Sequence, residues 1–455
     1  METKRIKIDV GTMGHVHHGK STLLGFLLRE LGKVDDDEWH TIVEQARKLN
    51  RKDLTYAFVL ERLPEERTRG LTLEPYHYGL RSDKYEFMLI DCPGHADYVR
   101  SMIVGTTQAD AGVLVIAADE YDNALLPYQY KDDKWTVGQA REHAFIARVL
   151  GIKQLIVVIS KMDLVRWDQT KYLKIQEETA KLLTNLGFNS NDLMYVPVGG
   201  KPPDEYGINV ISKPQGIMQW FNGPTFLESL NSLTPPPRAE SLPLRIPIER
   251  GYSLIAGTEL VLCGKVETGI VDVGDKIIVQ PAMENGEIRS IRMRDEASTA
   301  VRDWVNSNQV GAGAVVGLGV RMQQEDRSRY LIGNVVSHRD SPAIVARRLK
   351  ARIFVWWHPT QIVRGYKPIL HIGTGHTTCA FDEILSKRQP GSESDETQPE
   401  FIRQGESGLV VLSLINPLVV EDAPGVTHLS RLIIRDHGLT VAGGVIEDVV
   451  ERITQ

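Results

Sequence analysis

The chain has 455 residues, a formal net charge of −6 and a pI near 6.1; that is room for about three domains at roughly 100–200 residues each, and it excludes a uniformly basic nucleic-acid-coating surface. Cys92, Cys263 and Cys379 are far apart, odd in number and form no C-x-x-C pair, which argues against a disulfide framework or zinc site and for a reducing compartment. The start, Met1-Glu-Thr-Lys-Arg-Ile-Lys-Ile-Asp-Val10, lacks a signal-peptide core, and no later run approaches 18 apolar residues, so a soluble, cytoplasmic protein without a membrane span is expected.

In chain order, the first element is a strand from Ile6 to Val10, and Gly14-His15-Val16-His17-His18-Gly19-Lys20-Ser21 follows it, matching G-x-x-x-x-G-K-[ST]. Glycines at both ends let the backbone curl so that N–H groups face phosphates, Lys20 brings a mobile positive charge, and the Ser21 hydroxyl can ligate magnesium. Thr22-Leu-Leu-Gly-Phe-Leu-Leu28 reads as the helix that such a loop opens. The apolar run Phe87 to Ile90 ends at Asp91-Cys-Pro-Gly94-His95, about 70 residues beyond Lys20. A carboxylate at that strand end can hold a magnesium-bound water, and Gly94 can turn its N–H toward a γ-phosphate.

The runs Gly112 to Ala118, Leu155 to Ile159 and Tyr195 to Val198 are apolar on both faces, as buried strands of a parallel sheet are. Ser160-Lys161-Met162-Asp163 closes the second of them. A carboxylate there can accept both the N1 and N2 protons of guanine, a pattern that adenine does not offer, while the Lys161 stem covers the ring. Between Tyr172 and Leu186 an apolar stripe of Leu173, Ile175, Leu182, Leu183 and Leu186 predicts a helix closed by Gly187.

Thr234-Pro-Pro-Pro237 breaks this α/β texture and reads as a linker. From Leu244 onward, short β-branched runs alternate with Gly-rich turns, which predicts two β-barrels joined near Ser341-Pro342. The polar stretch 386–399 is expected to form a mobile loop. Two groups of cations, Arg289, Arg292 and Arg294, and Arg347-Arg348-Lys350-Arg352, are candidates for a basic face, against the blander reading of a solvated charged surface.

Glu65-Glu-Arg-Thr-Arg69-Gly70-Leu71-Thr72, Asp91-Cys-Pro-Gly-His95-Ala-Asp-Tyr98 and Gly138-Gln-Ala-Arg-Glu-His143 together resemble the translational GTPases of the elongation factor Tu and elongation factor 1-alpha group. The archaeal and eukaryotic 1-alpha branch is nearer, through Tyr56-Ala-Phe-Val-Leu-Glu-Arg-Leu63, Gly365-Tyr366-Lys-Pro368 and His376. The resemblance implies an α/β P-loop GTPase domain over 1–234, a linker over 235–243, and two all-β barrels over 244–341 and 342–455. It implies GTP/GDP and Mg2+ as ligands. The nucleotide is expected among residues 14–22, Asp91, Gly94, Ser160, Lys161, Asp163, and Gly199, Gly200 and Lys201, the last three standing where a backbone step meets guanine O6.

Ser21, Thr72 and Asp91 would hold the metal, with Thr72 closing over it. His95 would orient the attacking water, with Lys20, Thr72 and Gly94 as its catalytic companions and Val16 and Leu71 screening it. Gly264-Lys-Val-Glu-Thr-Gly269, Arg431-Leu-Ile-Ile-Arg435-Asp436 and Thr440-Val-Ala-Gly-Gly-Val445 resemble barrel segments that in the family clasp aminoacyl-tRNA. Aminoacyl-tRNA and the ribosome are therefore the expected partners, with a nucleotide exchange factor as a further candidate, and the protein is expected to be a monomer.

Several positions depart from the family pattern, among them Gly199-Gly200-Lys201, which replaces a Ser-Ala or Ser-Gly step. His17 stands where Asp is usual beside a monovalent cation, and Ser160 stands for Asn. Ile332, in Leu331-Ile332-Gly333-Asn334, replaces an Arg that faces the tRNA 5′ end, and Gln309 replaces Asn near the aminoacyl end, where Glu296 is retained. These leave open a paralogue with another cargo: a release or ribosome-rescue factor, a carrier of a specialised tRNA, or a regulatory subunit of a sulfate-activating enzyme. A binding module without hydrolysis is a third reading.

Overall fold

The structure is a computed structural model and describes residues 6–61, 63–131, 133–202, 205–253, 260–294, 304–322, 332–421 and 428–453. Residues 1–5, at the head of the predicted first strand, lie outside that range.

Apolar residues on both faces force the first strands into the middle of a sheet. β1 (Lys7–Gly14), β2 (Tyr76–Arg81), β3 (Glu86–Asp91), β4 (Ala111–Ala117), β5 (Leu155–Ser160) and β6 (Leu193–Pro197) form one sheet in the order β2-β3-β1-β4-β5-β6. Every residue of β4 and β5 is buried. All neighbours run parallel except β2, which pairs antiparallel with β3. This edge strand has no counterpart in the sequence reading. Parallel alignment brings the ends of β1, β3 and β5 to one edge, with Thr12 opposite Asp91 and Ala117 opposite Ser160, the edge where open α/β sheets bind ligands.

The helices are α1 (Lys20–Glu30), α2 (Asp36–Lys48), α3 (Pro64–Arg69), α4 (Val99–Thr107), α5 (Tyr121–Leu125), α6 (Gln139–Leu150), α7 (Gln169–Asn185) and α8 (Phe226–Asn231). α7 corrects the predicted stripe. Leu173 is 50% exposed, and the buried face is Tyr172, Ile175, Thr179, Leu182 and Leu183. Asp168 caps the helix by accepting the Thr170 N–H, which fixes its phase; Tyr172 then packs its ring 5.0 Å from that of Trp220, and Leu173, about 100° further round, is turned outward.

Residues 237–294 and 304–455 belong to a second compact unit. The barrel of its first sheet comprises β7 (Ile246–Ser253), β8 (Leu260–Lys265), β9 (Lys276–Gln280), β10 (Glu284–Arg294), β11 (Val315–Met322) and β12 (Val335–His338), in the order β9-β12-β7-β8-β11-β10; it closes through β9–β10 pairing, and the short strand Trp304–Ser307 adds to β10 as a seventh. The second comprises β13 (Ile344–Val355), β14 (Ile369–Ile372), β15 (Gly375–Arg388), β16 (Ser407–Val420), β17 (Arg431–Asp436) and β18 (Leu439–Arg452), in the order β14-β17-β18-β13-β16-β15, and it closes through β14–β15. Both are six-stranded barrels filled by alternate apolar residues. Among the described residues no helix follows α8.

The stretch 386–399 corrects another expectation. Ser386 pairs with Thr397 and Lys387 with Glu396, and Asp395 accepts from Ser386 Oγ at 3.1 Å and Arg388 Nε at 2.6 Å. A composition suited to disorder thus closes a hairpin because its opposite charges meet. The run at 347–352 follows the blander reading: Arg348 pairs with Asp382 and Glu383, and Arg352 with Glu447 and Asp395. In the first barrel Arg289 pairs with Glu287 and Arg292 is exposed; the Arg294 side chain lies outside the description.

The two barrels are tied by a buried ion pair between Arg245 and Glu421, and Arg245 also donates to the Ser341 carbonyl at 3.0 Å. Removing one member leaves the other charge uncompensated, which typically costs about 3–5 kcal/mol. Glu421→Ala should therefore lower the stability of this unit by about that amount in denaturant unfolding, whereas an unchanged midpoint would show the pair to be energetically idle.

Candidate functional site

At the carboxyl edge of the sheet lies a cavity of about 520 Å³, lined from the first loop by Val16, His17, Gly19, Lys20, Ser21 and Thr22, and by Leu71, Thr72, Gly94 and His95. Ser160, Lys161, Asp163, Gly200 and Lys201 line it too. The segments predicted to handle phosphate, metal and base thus meet in one place.

Backbone geometry explains the loop. Gly14 has φ 135°, and a Cβ there would stand 2.3 Å from the Val115 carbonyl oxygen. Gly19, at φ 89°, is the residue on which α1 begins, so the free N–H groups of the first helical turn open on the cavity. Lys20 Nζ donates to the Gly14 and His15 carbonyls at 3.2 and 2.9 Å. Burial brings its ammonium down to about 8, with Asp91 opposing the shift. Gly94 leaves that ammonium room, since a Cβ would lie 2.2 Å from Nζ.

Behind the loop, Ser21 Oγ and Thr72 Oγ1 donate to Asp91 Oδ2 at 2.8 and 3.2 Å and lie 3.2 Å from each other. Thr12 donates to the other carboxylate oxygen at 3.1 Å. Asp91 is buried, and burial pushes its carboxyl above the usual range while Lys20 and these hydroxyls pull it down. It does not line the cavity itself; the two hydroxyls stand in front of it.

In the loop after β5, Ser160 Oγ donates to the His18 carbonyl at 2.7 Å, binding this loop to the first one. Lys161 has φ 55° and places Nζ 3.7 Å from Asp119. Asp163 Oδ1 accepts the Gly200 N–H at 2.8 Å. Gly199 is behind that contact, where a Cβ would fall 2.6 Å from Asp163 Oδ1. Gly199 therefore serves packing and is absent from the cavity wall.

Gly14, His15 and His18 are also outside the wall. The His18 ring is fully buried, and its Nδ1 accepts the Ala117 N–H at 2.9 Å, so it must be neutral. Burial, with His15 and Lys20 adding repulsion, pushes its pKa to about 2, and burial pushes that of the half-buried His15 to about 4. A histidine lowered on folding contributes stability that is complete above the unfolded value near 6.5 and is lost as pH falls toward the folded value. Between pH 6.5 and 5, His18 should cost the nucleotide-free protein about 1.5–2 kcal/mol. His18→Asn, which keeps an acceptor, should flatten that part of the stability profile in urea titrations at the two pH values; an equal slope would refute the assignment.

The sequence reading missed one wall. Arg51, Asp53, Leu54, Ala57, Glu61 and Tyr206 also face the cavity. They are held by a ring cluster in which Tyr56 lies 5.0 Å from Trp39, 5.2 Å from Phe26 and 5.7 Å from Tyr206. A Cβ on Gly25 would strike the Tyr56 carbonyl at 1.9 Å, so α1 and this segment touch backbone to backbone. The signal was available in the glycine inside the α1 pattern facing an aromatic-rich stretch.

His95 is partly exposed, and its Nδ1 accepts the Asp97 N–H at 3.2 Å. In the first barrel Ile332 is exposed, and Gln309 Nε2 is engaged by Asp272 at 2.9 and 3.2 Å. Glu296 and Leu331 lie outside the described residues.

Residues 5–236 match the elongation factor Tu GTP binding domain, and residues 348–447 the GTP-eEF1A C-terminal domain-like family. Elongation factor 1-alpha of Pyrobaculum arsenaticum is 39% identical, covering 97% of this chain and 94% of the relative. That of Saccharolobus solfataricus is 38% identical over 97% of both chains. Among solved structures, the S. cerevisiae Ski7 GTPase-like domain bound to GTP has a TM-score of 0.76 at 19% identity, covering 97% of each chain. Translation elongation factor SelB from Methanococcus maripaludis with a GTP analogue has 0.65 at 19%, covering 98% of this chain and 80% of the other; both likenesses bear on fold alone. With a family match over half the chain and relatives matched nearly end to end, this protein belongs to the GTP-binding elongation factor family of GTPases, alongside the elongation factor 1-alpha proteins.

Proposed function

We propose that this GTPase carries aminoacyl-tRNA to the ribosome in its GTP form and lets it go after hydrolysis. The observation that carries the reading is the junction of Ser21, Thr72 and Asp91: a residue of the α3–β2 segment is already folded onto the phosphate loop, as a nucleotide-dependent switch requires. In this reading the N–H groups at the start of α1, with Lys20 and Gly94, hold the phosphates. Asp163 selects guanine, Lys161 covers the ring, and the Gly200–Lys201 backbone faces its oxygen. His95 orients water for in-line attack, and Val16 and Leu71, which line the same cavity, restrain it.

Two hydroxyls and a carboxylate within 3.2 Å of one another are hard oxygen donors of the kind magnesium takes, so Ser21, Thr72 and Asp91 fit that ion. Magnesium bound there would neutralise charge on the β- and γ-phosphates. Ser21 and Thr72 then also report the nucleotide state, because each hydroxyl belongs to a different segment.

Protection of the aminoacyl ester from hydrolysis tests the proposal. Slower deacylation is expected with the GTP form than with the GDP form, and no protection by either form for any tRNA would sink it. A paralogue with another cargo is the second reading. It is favoured by the exposed, uncharged Ile332 and by Gln309, whose amide is held by Asp272.

A further inference from the structure

Three histidines stand in the first loop, and two of them pack inward. His18 is buried with its Nδ1 accepting the Ala117 N–H at 2.9 Å, and the His15 ring meets that of His18 edge-on at 5.1 Å. His17 differs from both. It is exposed and lines the cavity, and its ring has neither a hydrogen bond nor an ion pair among the described residues. Its φ of 62° is left-handed, a strained conformation for a residue other than glycine and one that points to function where it occurs in a site.

The charges that face this ring come from four other segments. Lys20 stands at the head of α1, Arg51 follows α2, Lys161 follows β5 and Glu120 precedes α5, while His15 and His18 are its neighbours on the loop. Partial desolvation in the cavity wall, then Lys20, Arg51 and Lys161, lower the His17 pKa from its usual value, and Glu120 opposes them. The ring is therefore mostly neutral at pH 7 when the cavity holds no anion. Phosphates resting on the N–H groups that open α1 would bring several negative charges among these cations, and nearby negative charge favours the imidazolium.

We propose that His17 meets the phosphates of the bound nucleotide as an imidazolium, so that binding draws a proton from the solvent onto its ring and nucleotide is held more tightly as pH falls. The inference rests on the reading above that the phosphates sit on the Gly14–Ser21 loop. The sign follows from linkage: a group whose pKa rises on binding adds affinity below the raised value, and that affinity is lost as pH climbs past it. The left-handed turn at His17 then has a purpose, since it keeps the ring in the cavity wall between Gly14 and Gly19.

The test is calorimetric titration of GDP into the nucleotide-free, full-length protein at saturating Mg2+, repeated in buffers of different ionisation enthalpy, which counts the protons taken up per GDP. His17→Asn suits the left-handed backbone and carries no titrating ring. Lys20, brought down to about 8 by burial, and GDP itself also exchange protons, but equally in both proteins, so the difference belongs to His17. Wild type should take up more protons at pH 7 than His17→Asn, and its affinity should fall about tenfold further between pH 6 and 8. Equal uptake and parallel affinity profiles overturn the proposal and spare the nucleotide site. A wild-type protein that binds no GDP overturns both. If His17→Asn no longer binds GDP, His17→Lys decides, because its charge persists across this range: affinity at pH 8 close to the wild-type value at pH 6 supports the proposal, and a pH profile equal to that of wild type counts against it.

Discussion

Replacing Asp163 with asparagine should weaken GDP binding about 10²-fold or more and create a preference for xanthosine diphosphate. The carboxylate would accept two protons from guanine, and hydrogen bonds to a charged group are worth roughly 1.5–3 kcal/mol each, so their joint loss corresponds to about 10²- to 10⁴-fold in affinity. An amide presents a donor, which suits the extra carbonyl of xanthine and opposes the guanine amino group. Oδ1 of Asp163 already accepts the Gly200 N–H; asparagine can keep that bond through its carbonyl, so the loop should survive. Competition titrations with GDP and xanthosine diphosphate measure the exchange. Unaltered preference would mean that the base sits elsewhere in the cavity.

His95→Ala should lower ribosome-stimulated GTP turnover about 10²- to 10³-fold, within the range of a positioned acid or base, and leave GDP affinity within about twofold. His95 lines the cavity beside Gly94; its Nδ1 accepts the Asp97 N–H two residues on and stands 3.4 Å from the Asp97 carboxylate, and its ring lies 5.8 Å from that of Tyr98. Loss of nucleotide affinity as large as the loss of rate would instead mark the ring as structural. Full turnover in the variant would support a protein that switches on nucleotide binding alone.

What was legible in the sequence was local. The Gly14–Ser21 loop, the strand ending at Asp91 and the carboxylate at Asp163 each join a motif to an adjoining apolar strand, and parallel pairing does the rest. Ser160, which stands where the family has asparagine, spans with its hydroxyl to the His18 carbonyl because β1 and β5 both flank β4 and end at one edge, a link that neither motif shows alone. The Arg51, Glu61 and Tyr206 wall was not legible, because it is assembled by ring packing between residues up to about 180 positions apart. β2 escaped because an edge strand buried on both sides carries no alternation. The hairpin at 386–397 escaped because composition reports the lack of apolar residues and is blind to which charges will face each other.

The most direct test is single-turnover hydrolysis of GTP by the wild-type protein, alone and with ribosomes programmed with message and cognate aminoacyl-tRNA. Slow turnover alone and an acceleration of about 10²-fold or more in the complete mixture, absent from His95→Ala, is the predicted result; an identical rate with and without ribosomes and tRNA would contradict it.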